Sequence, residues 1–483
     1  MELSPVRIRR SLSLLASLSA AAVTMGVLAP SPSSSAAIDP NVGSWSAPFT
    51  PDGPTSRVIG VHQILMHTGK VLVIGSLRPT VAYVYDPITG KSVNANPPVD
   101  IECGAMVALA DGRILVVGGH GKGPTGISNV FLFDPITLEW IEQPATNGAR
   151  YYPTTTLLAD GRVVITAGFD HMGDDNTNVD VYTPPAPGGR LGSIKTVGQH
   201  LGGLYPRQWL MPSGNVLETQ RRGSYILNTK TWEWTEYDRP GKHFSGESAI
   251  LLPGPPSGST TAMVFGGGSN AGATTLSETF NAATPTAGWT RVAPLPEPRV
   301  HMQAVPTPNG SIIGIGGNQK GSFEQPVYEA LSYDPKANTW TTLAAQSERR
   351  GYHSAAVLLP GGRILSAGDT GAGGGGNTME TFSPPYLSGT RPTITSSPSR
   401  VANGASFTIS TPNSKSRAVL MAPGAATHTV DMSARHIELR RTAVAGRITA
   451  TVPSATVAAP GYYMLFLVNG AGTPSSARWI HIG

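Results

Sequence analysis

Cys103, Tyr152, Tyr205, His301 and His353 share one spacing: each stands nine residues before a glycine, at Gly112, Gly161, Gly214, Gly310 and Gly362. Gly60 holds the same place before Gly69, and Ser245 is the nearest equivalent when counted from Gly254. Tyr352 directly precedes His353. Taken singly, none of these residues points to chemistry. A lone histidine in a β protein is more often surface or hydrogen-bonded, and a tyrosine beside a turn usually packs. Five at one repeat phase is a different observation. The phase collects a soft sulfur, phenols and imidazoles, the makings of a convergent polar site on a rigid scaffold. Imidazole nitrogen with phenolate oxygen suits a borderline transition metal, copper or iron, better than Ca²⁺ or Mg²⁺. A phenolate ligand needs a cation that stabilises the deprotonated oxygen near neutral pH.

The elements that must position them are repeats. A glycine turn followed by a β-branched strand and small residues recurs as HTGKVLVIGS, ADGRILVVGG, ADGRVVITAG, PSGNVLETQ, PNGSIIGIGG and PGGRILSAG, with a weaker copy, TTAMVFGGG, over residues 260–268. Successive turn glycines lie 43, 49, 53, 96 and 52 residues apart, and 96 is two units across the weak copy. A unit near 50 residues with short strands is a kelch-type propeller blade. The second half of the unit recurs as YDPITGK, FDPITLEW, LNTKTWEW and YDPKANTW, a strand end, a turn and an aromatic opening the next strand. Trp140, Trp234 and Trp340 then read as packing between blades. The expected fold is all-β: a seven-bladed kelch-type β-propeller over residues 38–386, followed by an immunoglobulin-like β-sandwich over 387–483. No Cys pair staples the sandwich.

Composition agrees. The chain of 483 residues has 57 Gly and 42 Pro, 13% charged residues and 40% hydrophobic ones. That is turn-dense yet apolar enough for a core, which excludes disorder, and the lack of a strict Gly period excludes collagen. Residues 1–37 read as a signal peptide: Arg7, Arg9 and Arg10, an apolar stretch from Leu12 to about Leu28, then small residues ending at Ala36 and Ala37. The stretch is short and rich in Ala and Ser, so stable membrane insertion is not expected. Arg9-Arg10 permits the twin-arginine route beside the general secretory one. A secreted or extracellular protein, free or associated with the cell envelope, is expected. The leader carries three Arg and one Glu, so the net charge of +5 falls to +3 without it. There is no Lys/Arg run, and no nucleic-acid partner is expected. A monomer is expected. The lone Cys cannot form an internal disulfide. It is a buried core residue, a free thiol, a link to another chain, or chemically modified.

At these residues the sequence resembles the copper radical oxidases, the group of galactose oxidase and glyoxal oxidase. That family has a Cys whose sulfur is thioether-linked to a Tyr in the next blade. Cys103 in DIECGAMVAL and Tyr152 in ARYYPTTTLL match it, and the family's Arg-x-Tyr pattern selects Tyr152 over Tyr151. The adjacent Tyr-His pair matches RRGYHSAAVLLPGGR at Tyr352 and His353. The second His comes from the C-terminal domain in a Thr-His-Thr context, at His428 in GAATHTVDM. The resemblance implies copper held by Tyr152, Tyr352, His353 and His428. It implies a protein-derived Cys103–Tyr152 radical cofactor, which would hold one oxidising equivalent, with copper holding the other. Tyr352 would act as base toward a substrate hydroxyl. The implied activity is oxidation of an aldehyde or primary alcohol, small or glycan-linked, with O₂ reduced to hydrogen peroxide.

The sequence also departs from the family. The stretch TAGFDHMGDD lacks the tryptophan that covers the thioether in galactose oxidase. Stacking there must fall to Phe169, to a residue of another blade, or to nothing. Arg299 lies where galactose oxidase has a sugar-contacting Arg, but its surroundings diverge, and LYPRQWLMPSGNV around Tyr205 looks closer to glyoxal oxidase. His301 and Tyr205 are candidates for contacts to substrate or behind the metal, or else for channel packing. The rival reading is a non-catalytic propeller that binds glycans or wall components, since fold does not fix function. Such a module would need no Cys–Tyr pair. A sialidase-like hydrolase would need an acidic and arginine cluster, which the sequence does not show.

Overall fold

Each repeat folds because its turn residues and strand residues alternate as the sequence demands. The turn glycines Gly69, Gly112, Gly161, Gly214, Gly310 and Gly362 all have φ between 79° and 96°, a backbone state that only glycine reaches without steric cost. The apolar strands leaving them, such as Val71–Gly75, Ile114–Val117 and Ile364–Gly368, are buried along their whole length. They form the middle layer of their blades. The computed structural model describes residues 37–53, 58–76, 80–241, 243, 245–269, 272–371 and 376–483. The leader expected over 1–37 therefore lies almost entirely outside the described residues.

Among the described residues, seven antiparallel blade sheets follow one another, five of four strands, one of five and one of six, each entered at the innermost strand of its blade. The innermost strands are Gly60–Leu65, Ala105–Ala108, Thr154–Leu157, Arg207–Leu210, Ser245–Leu251, Gln303–Pro306 and Ser354–Leu358. The ring is closed by pairing the ends of the propeller. Ser44–Trp45 supplies the outer strand of blade seven, pairing with Met379–Ser383. The tail forms two sheets, one of five strands and one of three, with its own apolar core around Ile409, Leu420, Ile448 and Leu465. The all-β propeller with a C-terminal sandwich is as expected.

The tryptophans stitch blades together. Trp45, Trp140 and Trp340 donate Nε1–H to the carbonyls of Ala344, Ala95 and Ala293, at or just past the outer strand of the preceding blade, at 2.8–3.0 Å. Each also packs on an aromatic of its own blade with centroids 4.8 Å apart: Phe382, Phe133 and Tyr333. Trp234 differs. It stacks on His200, just past the outer strand of blade three, at 3.9 Å, and its Nε1 has no partner among the described residues.

Two features of the fold matter for the site. First, the tail does not stay outside the propeller. A hairpin of Ala425–Thr427 and Val430–Asp431 joins the inner edge of blade one, pairing His62 with Thr427 and Ile64 with Ala425. Second, the residues of the nine-residue phase do not begin the inner strands. They sit one or two residues ahead of them, with left-handed backbone: φ is 63° at Cys103, 62° at Tyr152, 44° at Tyr205, 62° at His301 and 63° at His353. In blade five the residue in this state is Gly246 (φ 64°), not Ser245, and its turn glycine is Gly258 (φ 99°). The insertion of three residues before that turn breaks the nine-residue count.

Left-handed backbone costs a non-glycine residue on the order of 1 kcal/mol, so five in one ring need compensation. Amide bonds between blades provide part of it. Tyr152 N–H donates to the Cys103 carbonyl at 2.9 Å, Tyr205 N–H to Tyr152 at 2.8 Å, and His301 N–H to Gly246 at 2.7 Å. Gly246 is glycine for lack of space: a Cβ there would lie 2.5 Å from Val300 Cγ2 and 2.6 Å from the His301 ring. Gly246→Ala is expected to lower the unfolding free energy by about 1–3 kcal/mol through overpacking, read from urea denaturation. An unchanged midpoint would show that the ring tolerates the methyl group.

Candidate metal centre

The left-handed turn at each ring position aims its side chain toward the axis just before the strand turns down into the blade. Tyr152 comes from blade three. Tyr352 and His353 come from blade seven, and Cys103 from blade two. His428 comes from the C-terminal tail, at the tip of the inserted hairpin, with φ 46° at His428 and 70° at Thr429. The hydroxyls of Tyr152 and Tyr352 are hydrogen-bonded to each other, and the Tyr152 hydroxyl lies 3.4 Å from His353 Nε2. The His353 and His428 rings meet edge to face at 4.5 Å. One ligand atom each from Cys103, His353 and His428 falls within 4.8 Å of the other two.

Threonines fix both imidazoles. His428 Nδ1 is 2.6 Å from Thr427 Oγ1, whose own proton goes to the Val61 carbonyl at 3.1 Å. The Thr427 oxygen therefore accepts the Nδ1–H, and His428 Nε2 keeps a bare lone pair. That Nε2 is buried and has no partner among the described residues. A buried acceptor with nothing to accept suits a cation. His353 Nδ1 is likewise 3.0 Å from Thr370 Oγ1, freeing its Nε2 toward Tyr152.

Burial sets the charge states. It lowers His353 to about 4, helped by His120, and holds His428 well below its ordinary value, helped by His353 and His62. Both rings are neutral at neutral pH and able to donate lone pairs. Burial pushes Tyr352 up to about 12, against the opposing hydrogen bond from Tyr152. Tyr152 is raised far more, by burial and then by Cys103 and Tyr352. Two phenols in this pocket become phenolates only beside a cation. Two neutral nitrogens, two phenol oxygens and an orphaned lone pair fit a borderline transition metal.

Residues 80–384 match the glyoxal oxidase N-terminus family, and residues 391–482 match the galactose oxidase-like early set domain. The chain belongs to the galactose oxidase and glyoxal oxidase family of copper radical oxidases. A galactose oxidase of Gibberella zeae is 30% identical over 511 residues, covering 93% of this chain and 72% of that protein. The aldehyde oxidase GLOX of Vitis pseudoreticulata is 29% identical, covering 83% of this chain and 86% of its own. The fold matches a fungal alcohol oxidase of the AA5 family solved with copper: TM-score 0.79, 24% identity, 92% of this chain and 100% of that one.

Within this oxidase the remaining expected site residues separate. Tyr205 lies at the centre: its ring stacks on Tyr152 at 4.4 Å and 17°, and its buried hydroxyl donates to the Gly104 carbonyl at 2.8 Å. Tyr151 stacks on the Tyr152 ring as well, at 4.2 Å and 12°. Tyr152 is thus flanked by a residue of another blade and by its own neighbour. Phe169 instead pairs with Tyr151 through backbone hydrogen bonds. His301 packs on Tyr352 at 4.9 Å, and its Nε2 meets Ser322 Oγ at 3.2 Å. Phe323, unnoticed in the sequence and 44% exposed, meets the Tyr352 ring edge to face at 5.9 Å, on the open side of the site.

Arg299 does not face substrate. It is fully buried, and its guanidinium holds the carbonyls of Gly316 and Glu329 and the Glu297 carboxylate. Arg150 and Arg350 do the same in their blades, holding the Ala167 and Gly368 carbonyls with Asp180 and Glu380. All three stand two or three residues before a ring residue, so this is a blade staple, and the repeat could have revealed it. Arg299→Ala should lower stability by about 2–4 kcal/mol, because buried acceptors lose their donor. KM should stay within a factor of two. A raised KM at unchanged stability would restore the substrate contact.

Proposed function

We propose that this chain oxidises aldehydes or primary alcohols at a mononuclear copper centre, with O₂ as electron acceptor. The observation that carries this reading is the convergence of Tyr152, Tyr352, His353 Nε2 and the orphaned His428 Nε2 on one point, with the lone Cys against Tyr152. These four side chains would hold the copper. Bound copper would supply a one-electron acceptor and a Lewis acid for the substrate hydroxyl.

The chain's own residues do the rest. Tyr352 is half-buried beside the open rim, placed to take the hydroxyl proton on Oη. Tyr152, linked to Cys103 by a thioether, holds the second oxidising equivalent and takes the hydrogen from carbon. Its flanking rings, Tyr151 and Tyr205, exclude water from both faces. An alcohol loses two hydrogens to become an aldehyde, and a hydrated aldehyde loses two to become an acid. In each case O₂ gains two electrons and two protons to become hydrogen peroxide.

The thioether balances the same way: the thiol S–H and an ortho C–H of Tyr152 are lost, a C–S bond forms, and O₂ is the oxidant. Export by the leader agrees with this chemistry, since the lone Cys needs no disulfide partner. No helix of the described residues is long and apolar enough to cross a membrane.

The test is purified protein given one equivalent of Cu²⁺ and assayed by peroxidase coupling against aldehydes, simple primary alcohols and glycans. Peroxide is expected with at least one class. Tyr352→Phe should lower kcat by about 10²–10⁴-fold, and His428→Ala should remove activity with the metal. A copper-loaded wild type silent on every class, or an active His428→Ala variant, would overturn the proposal.

A further inference from the structure

His62 was not singled out by its sequence context, GVHQILM, which reads as an ordinary inner strand. It is fully buried, on the strand Gly60–Leu65 of blade one. Its Nε2 accepts the backbone N–H of Cys103 at 3.1 Å. Among the described residues its Nδ1 has no partner, so the Cys103 amide is the one polar contact its ring makes there. Its backbone pairs with Thr427, and its ring stands edge-on to His428 at 5.7 Å.

The ring of blades explains why such a residue is needed. Around the axis, three of these amides donate to the carbonyl of the left-handed residue before them: Tyr152 to Cys103, Tyr205 to Tyr152, His301 to Gly246. Cys103 is where this chain of bonds would reach blade one. Blade one breaks the pattern. Its phase residue, Gly60, lies within the strand and is not left-handed, and the inner edge there is taken by the inserted hairpin. The Cys103 amide therefore finds no ring carbonyl. A buried amide without an acceptor is costly, and a left-handed Cys would relax toward extended backbone. The imidazole of His62 stands in for the missing carbonyl.

We propose that His62 is a positioning residue for Cys103: it holds the Cys103 backbone in the left-handed state that keeps the sulfur against Tyr152 for thioether formation. The inference rests on the Cys103–Tyr152 link proposed above. In the structure Cys103 is packed in one buried cluster with Tyr152, and Tyr151 lies against that cluster. The backbone rotation at Cys103 thus decides which tyrosine the sulfur meets and how closely. The step itself is the balanced oxidation already written, with O₂ taking two electrons and two protons. His62 contributes no atom to it.

Because the chain has one Cys, its thiol count under denaturing conditions reports the link directly. The experiment uses full-length mature protein purified without copper, then given one equivalent of Cu²⁺ in air. Thiols are titrated in denaturant over time, with intact mass as the second readout. Wild type should go from one thiol to none and lose about two mass units. His62→Ala should bind copper and keep its fold by circular dichroism, yet lose its thiol at least tenfold more slowly. His62→Gln, whose side-chain oxygen can accept the same N–H, should recover most of the rate. His62→Phe, which keeps a ring and removes the acceptor, should be as slow as Ala and replaces it if Ala fails to fold.

Cross-linking at the wild-type rate in folded His62→Ala or His62→Phe would overturn the role of His62 and leave the link intact. Equal slowness in His62→Gln and His62→Ala would also overturn it, as would linkage in the variants to Tyr152 with unchanged yield and rate. A wild type that keeps its thiol would instead overturn the thioether reading, and this inference with it.

Discussion

The left-handed backbone at the head of each inner strand is the constraint on which the site depends. An extended residue there would lay its side chain along the strand, into the packing between blades. The left-handed state turns it to the axis. Cys103, Tyr152, Tyr205, His301 and His353 all take this state, and inter-blade amide bonds offset part of its cost. Blade stapling by Arg150, Arg299 and Arg350 fixes the segment just ahead of three of these positions. Rigidity near the axis is thus built from buried guanidinium and amide bonds, not from the reacting groups themselves.

Electrostatics then select the occupant. The centre is dry enough to keep both imidazoles neutral and both phenols protonated. A site built for proton transfer alone would tune one of these groups toward neutral pH. Here every group is displaced toward its uncharged form, and His428 Nε2 faces inward without a partner. A cation held in such a pocket would deprotonate its own ligands. The sandwich domain takes part in this directly. Its hairpin completes blade one and brings His428 to the axis.

Much of this was legible in the sequence, for a physical reason. Turn glycine and ring residue are joined by one inner strand of fixed length, so a nine-residue count found Cys103, Tyr152, Tyr205, His301 and His353. It misplaced blade five, where a longer loop separates Gly246 from Gly258. His428 was reachable only through family resemblance, because a hairpin insertion has no repeat phase. Stacking of Tyr205 on Tyr152 depends on neighbouring blades meeting at the axis, which a local motif cannot show. Arg299 stands at the position of galactose oxidase's sugar-contacting Arg in a divergent context, and its repeated spacing with Arg150 and Arg350 is the stronger signal. His62 stayed hidden because its role is to replace a carbonyl, and a missing carbonyl leaves no mark on a sequence.

The most direct test of the account is diffraction from copper-loaded crystals at energies on either side of the copper absorption edge. The account predicts one anomalous peak per chain, bounded by the hydroxyls of Tyr152 and Tyr352 and by Nε2 of His353 and His428. A principal peak elsewhere, or none at this point with copper bound in solution, would contradict it.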